Sequence, residues 1–143
     1  MRISEILRTK GGAVVTIAPA DTVSEVVGTL AQYGVGALVV SNDGRGIDGI
    51  VSERDVVRAL AENGLTTLEL AAADIMTLEV VTATPDMSID DVMARMTEGR
   101  FRHMPVTEDG RLVGIISIGD VVNARLAALE LETEQLTNYI SGR

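Results

Sequence analysis

One phrase occurs twice in this chain: a glycine, two residues, a serine, two more residues, an aspartate. It stands at Gly49-Ile50-Val51-Ser52-Glu53-Arg54-Asp55 and again at Gly114-Ile115-Ile116-Ser117-Ile118-Gly119-Asp120. In each, an apolar stretch that reads as a buried strand ends on serine, and the aspartate falls in the first turn of a helix. That order gathers a hydroxyl, free backbone amides and a carboxylate around one point. A carboxylate so placed suits a pair of sugar hydroxyls, while the serine hydroxyl and the helix start suit a phosphate. The plainer reading is that Ser52 and Ser117 only cap helices whose first turns carry Asp55 and Asp120. Recurrence of the whole phrase at matching points of a repeat favours binding.

The repeat is chain-wide. Val14-Val15-Thr16 before Pro19 returns as Val80-Val81-Thr82 before Pro85, an offset of 66 residues (80 − 14). At the closing phrase the offset is 65 (114 − 49), because the first copy has one extra residue in the turn at Gly44-Arg45-Gly46. A period this long excludes short-period solenoids and points to two like halves around a cleft.

Each copy alternates strand and helix. Ile3, Ile6 and Leu7 predict a short leading helix ended by Gly11-Gly12, and Ala13 to Ile17 a strand. Thr22 and Glu25 form a capping box before a helix that buries Val23, Val26, Val27 and Leu30 and stops at Gly34. Val35 to Val40 and Ile47 to Ser52 read as strands about the turn Asn42-Asp43-Gly44, followed by a helix carrying Val56, Val57 and Leu60 to about Gly64. A short helix over Leu68 to Ala73 connects the copies. In the second copy Val80 to Ala83 is the first strand. Ser88 then caps a helix with Ile89, Val92, Met93 and Met96 that ends at Gly99. Phe101 to Thr107 and Leu112 to Ser117 flank the turn Glu108-Asp109-Gly110. The expected class is α/β (α+β), with residues 1–66, 67–125 and a C-terminal helix 126–143 as the units.

Composition narrows the function. The chain has 143 residues, 46% of them hydrophobic, so the core is aliphatic; Phe101, Tyr33 and Tyr139 are the whole aromatic complement. A net charge of −9 argues against general nucleic-acid binding. Absence of cysteine removes disulfide and thiolate chemistry. Neither a signal-peptide pattern nor a run of ~20 apolar residues is present, so a cytoplasmic protein with no membrane association is expected.

The doubled strand-helix-strand-strand-helix unit, the two Gly-x-x-Ser-x-x-Asp phrases and Arg102-His103-Met104-Pro105-Val106 resemble a pair of cystathionine-β-synthase-type (CBS) domains, a Bateman module. Gly36-Ala37-Leu38-Val39-Val40, Arg100-Phe101-Arg102-His103 and the tail Leu136-Thr137-Asn138-Tyr139-Ile140 are similar to stand-alone two-domain members of bacteria and plant organelles. The resemblance implies tandem repeats, each a small sheet packed with two helices and related by a pseudo-twofold. It implies a regulatory role without catalysis, and adenine nucleotides (AMP, ADP, ATP, NAD or S-adenosylmethionine) bound in clefts between the repeats. It also implies a homodimer and a separate effector protein. Carried over, Asp55 and Asp120 hold ribose hydroxyls, Ser52 and Ser117 sit near ribose or phosphate, and Thr16-Ile17 and Thr82-Ala83 border the adenine.

The copies are unequal. Arg54 is matched by Gly119, and Arg102-His103 by Gly36-Ala37. This predicts a cleft in which Ser52 and Asp55 face Arg102 and His103, with Arg54 completing a cationic patch. The Asp120 cleft is expected to have fewer phosphate donors, and so to bind more weakly or to prefer a ligand with less phosphate charge.

Other features read more plainly. A lone His103 without cysteine makes a poor transition-metal site. The methionines read as core and cleft lining, Asp86, Asp90 and Asp91 as helix-start charges, and Glu130, Glu132 and Glu134 as a solvated face. The stripe Val122, Leu126, Leu129, Leu136, Ile140 suits either the chain's own body or a partner helix. Two other functions stay open: a nucleotide-hydrolysing enzyme, for which His103 with Asp55 is the one conceivable pair, and a ligand-free structural adaptor.

Overall fold

The computed structural model describes residues 1–11 and 14–142. The expected helix stop at Gly12 and strand start at Ala13 lie outside the described residues. The order is α1 (Ile3–Lys10), β1 (Thr16–Ile17), α2 (Val23–Tyr33), β2 (Ala37–Val40), β3 (Gly49–Ser52), α3 (Glu53–Asn63), a 3₁₀ turn (Gly64–Glu69), α4 (Ala72–Ile75), α5 (Ile89–Gly99), β4 (His103–Glu108), β5 (Arg111–Ser117) and α6 (Ile118–Ile140). The class is the mixed α/β one expected.

The first sheet runs β1-β2-β3, with β1 parallel to β2 and β2 antiparallel to β3. The second is β4-β5, joined by a single parallel bridge from Ala83 to Val106. The strand expected over Val80 to Ala83 therefore shrinks to one residue. Ala83 donates to the Pro105 carbonyl (2.9 Å) and accepts from the Thr107 amide (2.9 Å). The next rung would need an N–H at Pro105, which proline lacks.

Local chemistry sets the helix ends. Thr22 accepts from the Glu25 amide and Glu25 reaches back, as the spacing predicts. Gly34 ends α2 in the left-handed conformation (φ 62°, ψ 37°). The matching position in the second copy is Arg100, not Gly99, with φ 56° and ψ 37°. A side chain held there costs about 1 kcal/mol. Gly99 is needed for another reason: a Cβ on it would collide with the ring of Phe101. Two expected core residues point outward, Val27 at 39% exposure and Val57 at 64%. On α3 the buried pair is Val56 and Ala59, so Val57, one residue and ~100° on, faces away. The connector begins as the 3₁₀ turn, and its α-helix is α4.

Two cores form, and each borrows from the other half. Ile17, Val23, Val26, Leu38, Val40, Val51 and Val56 close the first, together with Leu68, Leu70, Ala72, Ile75 and Met76 of the connector. Ile89, Val92, Met96, Met104, Val106, Ile116 and Val121 close the second around Ile3 and Ile6 of α1. The leading helix thus packs on the second repeat, with the Ile3 amide on the Met87 carbonyl (2.9 Å) and the Ser4 amide on that of Pro85 (2.8 Å). No helix among the described residues is long and apolar enough to cross a membrane.

Ile3 is fully buried at the centre of this arrangement. Ile3→Ala should lower unfolding free energy in urea by about 2–4 kcal/mol, whereas a change within experimental error would mean that α1 is a dispensable appendage.

Candidate functional site

Both phrases fold as capping boxes. Ser52 is the N-cap of α3, its Oγ accepting from the Asp55 amide at 3.4 Å while Asp55 Oδ2 takes the Ser52 amide at 2.8 Å. Ser117 and Asp120 repeat this at α6, at 3.1 and 2.9 Å. The capping role is real. It also fixes each carboxylate at a helix start, where its remaining lone pairs face outward to other partners.

Those partners differ. Asp55 Oδ1 accepts from the Thr77 hydroxyl at 3.2 Å. Asp120 Oδ2 instead receives the Lys10 ammonium at 2.8 Å, and Lys10 also donates to the Ile115 carbonyl at 2.8 Å. Burial raises the Asp120 pKa, but the Lys10 bond and the Ser117 amide outweigh it, so the carboxyl titrates below the usual aspartate value.

The two phrase glycines explain how these partners arrive. A Cβ on Gly49 would lie 2.6 Å from Met76 Sδ and 2.9 Å from the Thr77 carbonyl oxygen. One on Gly114 would collide with Leu7 Cδ2. Each glycine is the seat on which the lead-in segment of the other repeat rests. Thr77 is held there by paired backbone bonds with Ile50 (2.8 and 3.0 Å).

Between the halves, His103 lies against Gly36 and Glu53. A Cβ on Gly36 would stand 2.6 Å from Glu53 Oε1 and 3.1 Å from His103 Nε2, so the glycine leaves room for both. Desolvation lowers the His103 pKa below its ordinary 6.5, with Lys10 and Arg102 adding to the effect and Glu53 and Asp120 opposing it. Among the described residues, no hydrogen bond or ion pair joins Ser52 or Asp55 to Arg102 or His103. Arg102 belongs instead to an open groove of about 380 Å³ with Arg54, Met96, Thr97, Arg100, Phe101 and Ile118. Arg54 donates to the Arg100 carbonyl across the repeats at 3.3 Å. Residues from the first turns of both α3 and α6 line this groove, so two helix starts and three arginines border one hollow.

Of the residues expected to border a base, Thr16 and Ile17 form β1, and Ile17 is buried with its carbonyl on the Ser41 amide. Thr82 is partly buried, and the Ala83 N–H is committed to Pro105. Sequence reasoning missed Lys10, Thr77 and Arg100. The one available signal was spacing. From the residue on the phrase glycine to the first valine of Val-Val-Thr is seven positions in the first copy (Leu7 to Val14) and four in the second (Met76 to Val80), so Lys10 lies in a segment three residues longer than its counterpart.

Against known proteins, a model of the CBS domain matches residues 3–62 and 72–127. The chain is 36% identical to the CBS domain-containing protein CBSX3, mitochondrial, of Arabidopsis thaliana, over 98% of this chain and 72% of that protein. It superposes on the CBS-domain containing protein ATU1752 of Agrobacterium tumefaciens with a TM-score of 0.84 at 44% identity, covering 87% of this chain and 99% of that one. The CBS domain pair of protein MJ0100, solved with 5′-methylthioadenosine and S-adenosyl-L-methionine, gives 0.77 at 25% identity over 91% and 98%.

Gly49→Ala should push Met76 and Thr77 off β3, because the obstructing Thr77 oxygen is backbone. The expected cost is about 1–3 kcal/mol, with loss of amide protection at Thr77 by hydrogen exchange; protection equal to wild type would refute the seat. His103, half-buried and with a lowered pKa, adds a pH dependence. Its contribution is full above the ordinary imidazole value of 6.5 and is lost as pH falls through the lower folded value. Urea midpoints between pH 8 and 5 should decline on the acid side, and His103→Gln should flatten that decline.

Proposed function

The chain belongs to the CBS domain family as a tandem pair, a regulatory module, and we propose that it binds an adenine nucleotide (AMP, ADP, ATP or NAD) in the clefts between its repeats and thereby modulates a separate effector protein. One observation carries this reading. An acidic chain, net −9 with 12 Lys and Arg in all, gathers Arg54, Arg100 and Arg102 in one groove beside the first turns of α3 and α6. Its volume suits a nucleotide-sized ligand, and its charge suits phosphate.

In this reading Asp55 and Asp120 take ribose hydroxyls, with Ser52 and Ser117 beside them. Arg54, Arg102 and His103 serve the phosphate, and Thr16-Ile17 with Thr82-Ala83 border the base. The adenosine-type ligands of the MJ0100 pair support the ligand class. No residue is assigned a catalytic role: His103 and Asp55, the pair an enzyme would need, have different neighbours. The repeats are taken as residues 1–66 and 67–125, followed by the C-terminal segment 126–143, in a cytoplasmic protein. The exposed stripe Leu126, Leu129, Leu136 and Ile140 on α6 supports a homodimer. Signalling follows from the difference in ligand affinity between two conformations.

A panel of adenylates against ligand-free protein tests this. Ligand at ~100 times its dissociation constant should add about 2.7 kcal/mol to stability, visible as a rise in Tm. Asp55→Ala or Arg102→Ala should weaken AMP at least tenfold at the Asp55 cleft alone. No shift with any adenylate would instead favour the structural adaptor.

A further inference from the structure

Building on that adenylate reading, we propose that Lys10 is a ligand-selecting residue of the Asp120 cleft: it makes that cleft prefer phosphorylated adenosine ligands over uncharged ones. Asp120 alone would repel a phosphate brought close by a ribose on its carboxylate. The Lys10 ammonium cancels that charge at 2.8 Å. It has three N–H donors. Among the described residues two go to Asp120 and the Ile115 carbonyl, so the ammonium has donor capacity beyond these two bonds. The pair remains reachable, at 38% and 25% side-chain exposure.

The pair is a built feature. Leu7 on Gly114 and buried Ile3 and Ile6 anchor α1 on the second repeat, so the helix delivers its last residue to the carboxylate. Lys10 lies in a lead-in segment three residues longer than its counterpart in the second copy. There Thr77, uncharged, occupies the same role against Asp55. The two clefts therefore differ in charge at the carboxylate itself, and the Asp120 side has a cation that its own repeat does not encode, which reverses the sequence expectation of fewer phosphate donors there.

The test is calorimetric titration of the full chain with AMP and with adenosine. Wild type, Asp55→Ala (leaving the Asp120 cleft) and Asp55→Ala with Lys10→Met are compared. The expected result is a tenfold or greater loss of AMP affinity on adding Lys10→Met, with adenosine changed less than threefold and the preference restored in Lys10→Arg. Equal losses for both ligands would overturn the proposal and make Lys10 a structural tie. Gains for both would overturn it and make Lys10 a plug. Loss of all binding in Asp55→Ala while wild type binds would also overturn it. If wild type binds none of AMP, ADP, ATP and NAD, the adenylate reading falls and this proposal with it; if it binds another of them better than AMP, that nucleotide replaces AMP in the comparison with adenosine. Melting temperatures of the Lys10 variants separate misfolding from lost contact, and the arginine variant keeps the test decisive if the methionine one is unstable.

Discussion

The two repeats are held together by an exchange: the segment leading into each one rests on the glycine that begins the other's last strand. Leu7 lies on Gly114 and Met76 on Gly49, in both cases where a side chain would collide. Neither core closes from its own repeat. The first needs Ala72 and Met76, the second needs Ile3 and Ile6. Burying two or three aliphatic side chains per exchange contributes several kcal/mol to each core, a large share of the stability of a domain of this size. The same exchange brings the third partner to each phrase aspartate, so packing and site chemistry are set by one contact.

From that symmetric frame the site departs at single residues. The capping boxes at Ser52 and Ser117 are alike, but a hydroxyl meets Asp55 and an ammonium meets Asp120. Gly34 and Arg100 share one left-handed conformation, which costs the arginine and not the glycine. An arginine kept in that strained place, with its carbonyl on Arg54 at the edge of the groove, fits the tendency of strain to gather at functional sites. Gly36, opposite, yields its side-chain space to His103 and Glu53.

What could be read beforehand was local. The Thr22-Glu25 box, the turns and both Ser-Asp phrases depend on residues three or four apart, and each formed where its spacing put it. Periodicity failed where one rung decided: Val80 to Ala83 has the composition of a strand, but Pro105 removes the donor it needs. Gly99 looked like a helix stop and was instead a seat for Phe101. Val57 looked like core because it is valine, yet α3 turns it away. The Lys10–Asp120 pair, 110 residues apart, leaves no local trace. Only the three-residue difference between the lead-in segments hinted at it.

The seating of α1 also orders events during synthesis. Its landing place includes Gly114 and Val121, made more than a hundred residues after Ile3 and Ile6. At ~5–20 residues per second the helix waits on the order of ten seconds on the ribosome with its apolar face uncovered. The first core, built from residues between Val15 and Met76, is complete in chain terms long before then. Helix α1 is therefore made well before it can be housed, and the second repeat matures only by recapturing Ile3 and Ile6. Contacts of such sequence separation fold slowly, so an N-terminal fusion that hinders α1 would act on maturation before it acted on the finished molecule.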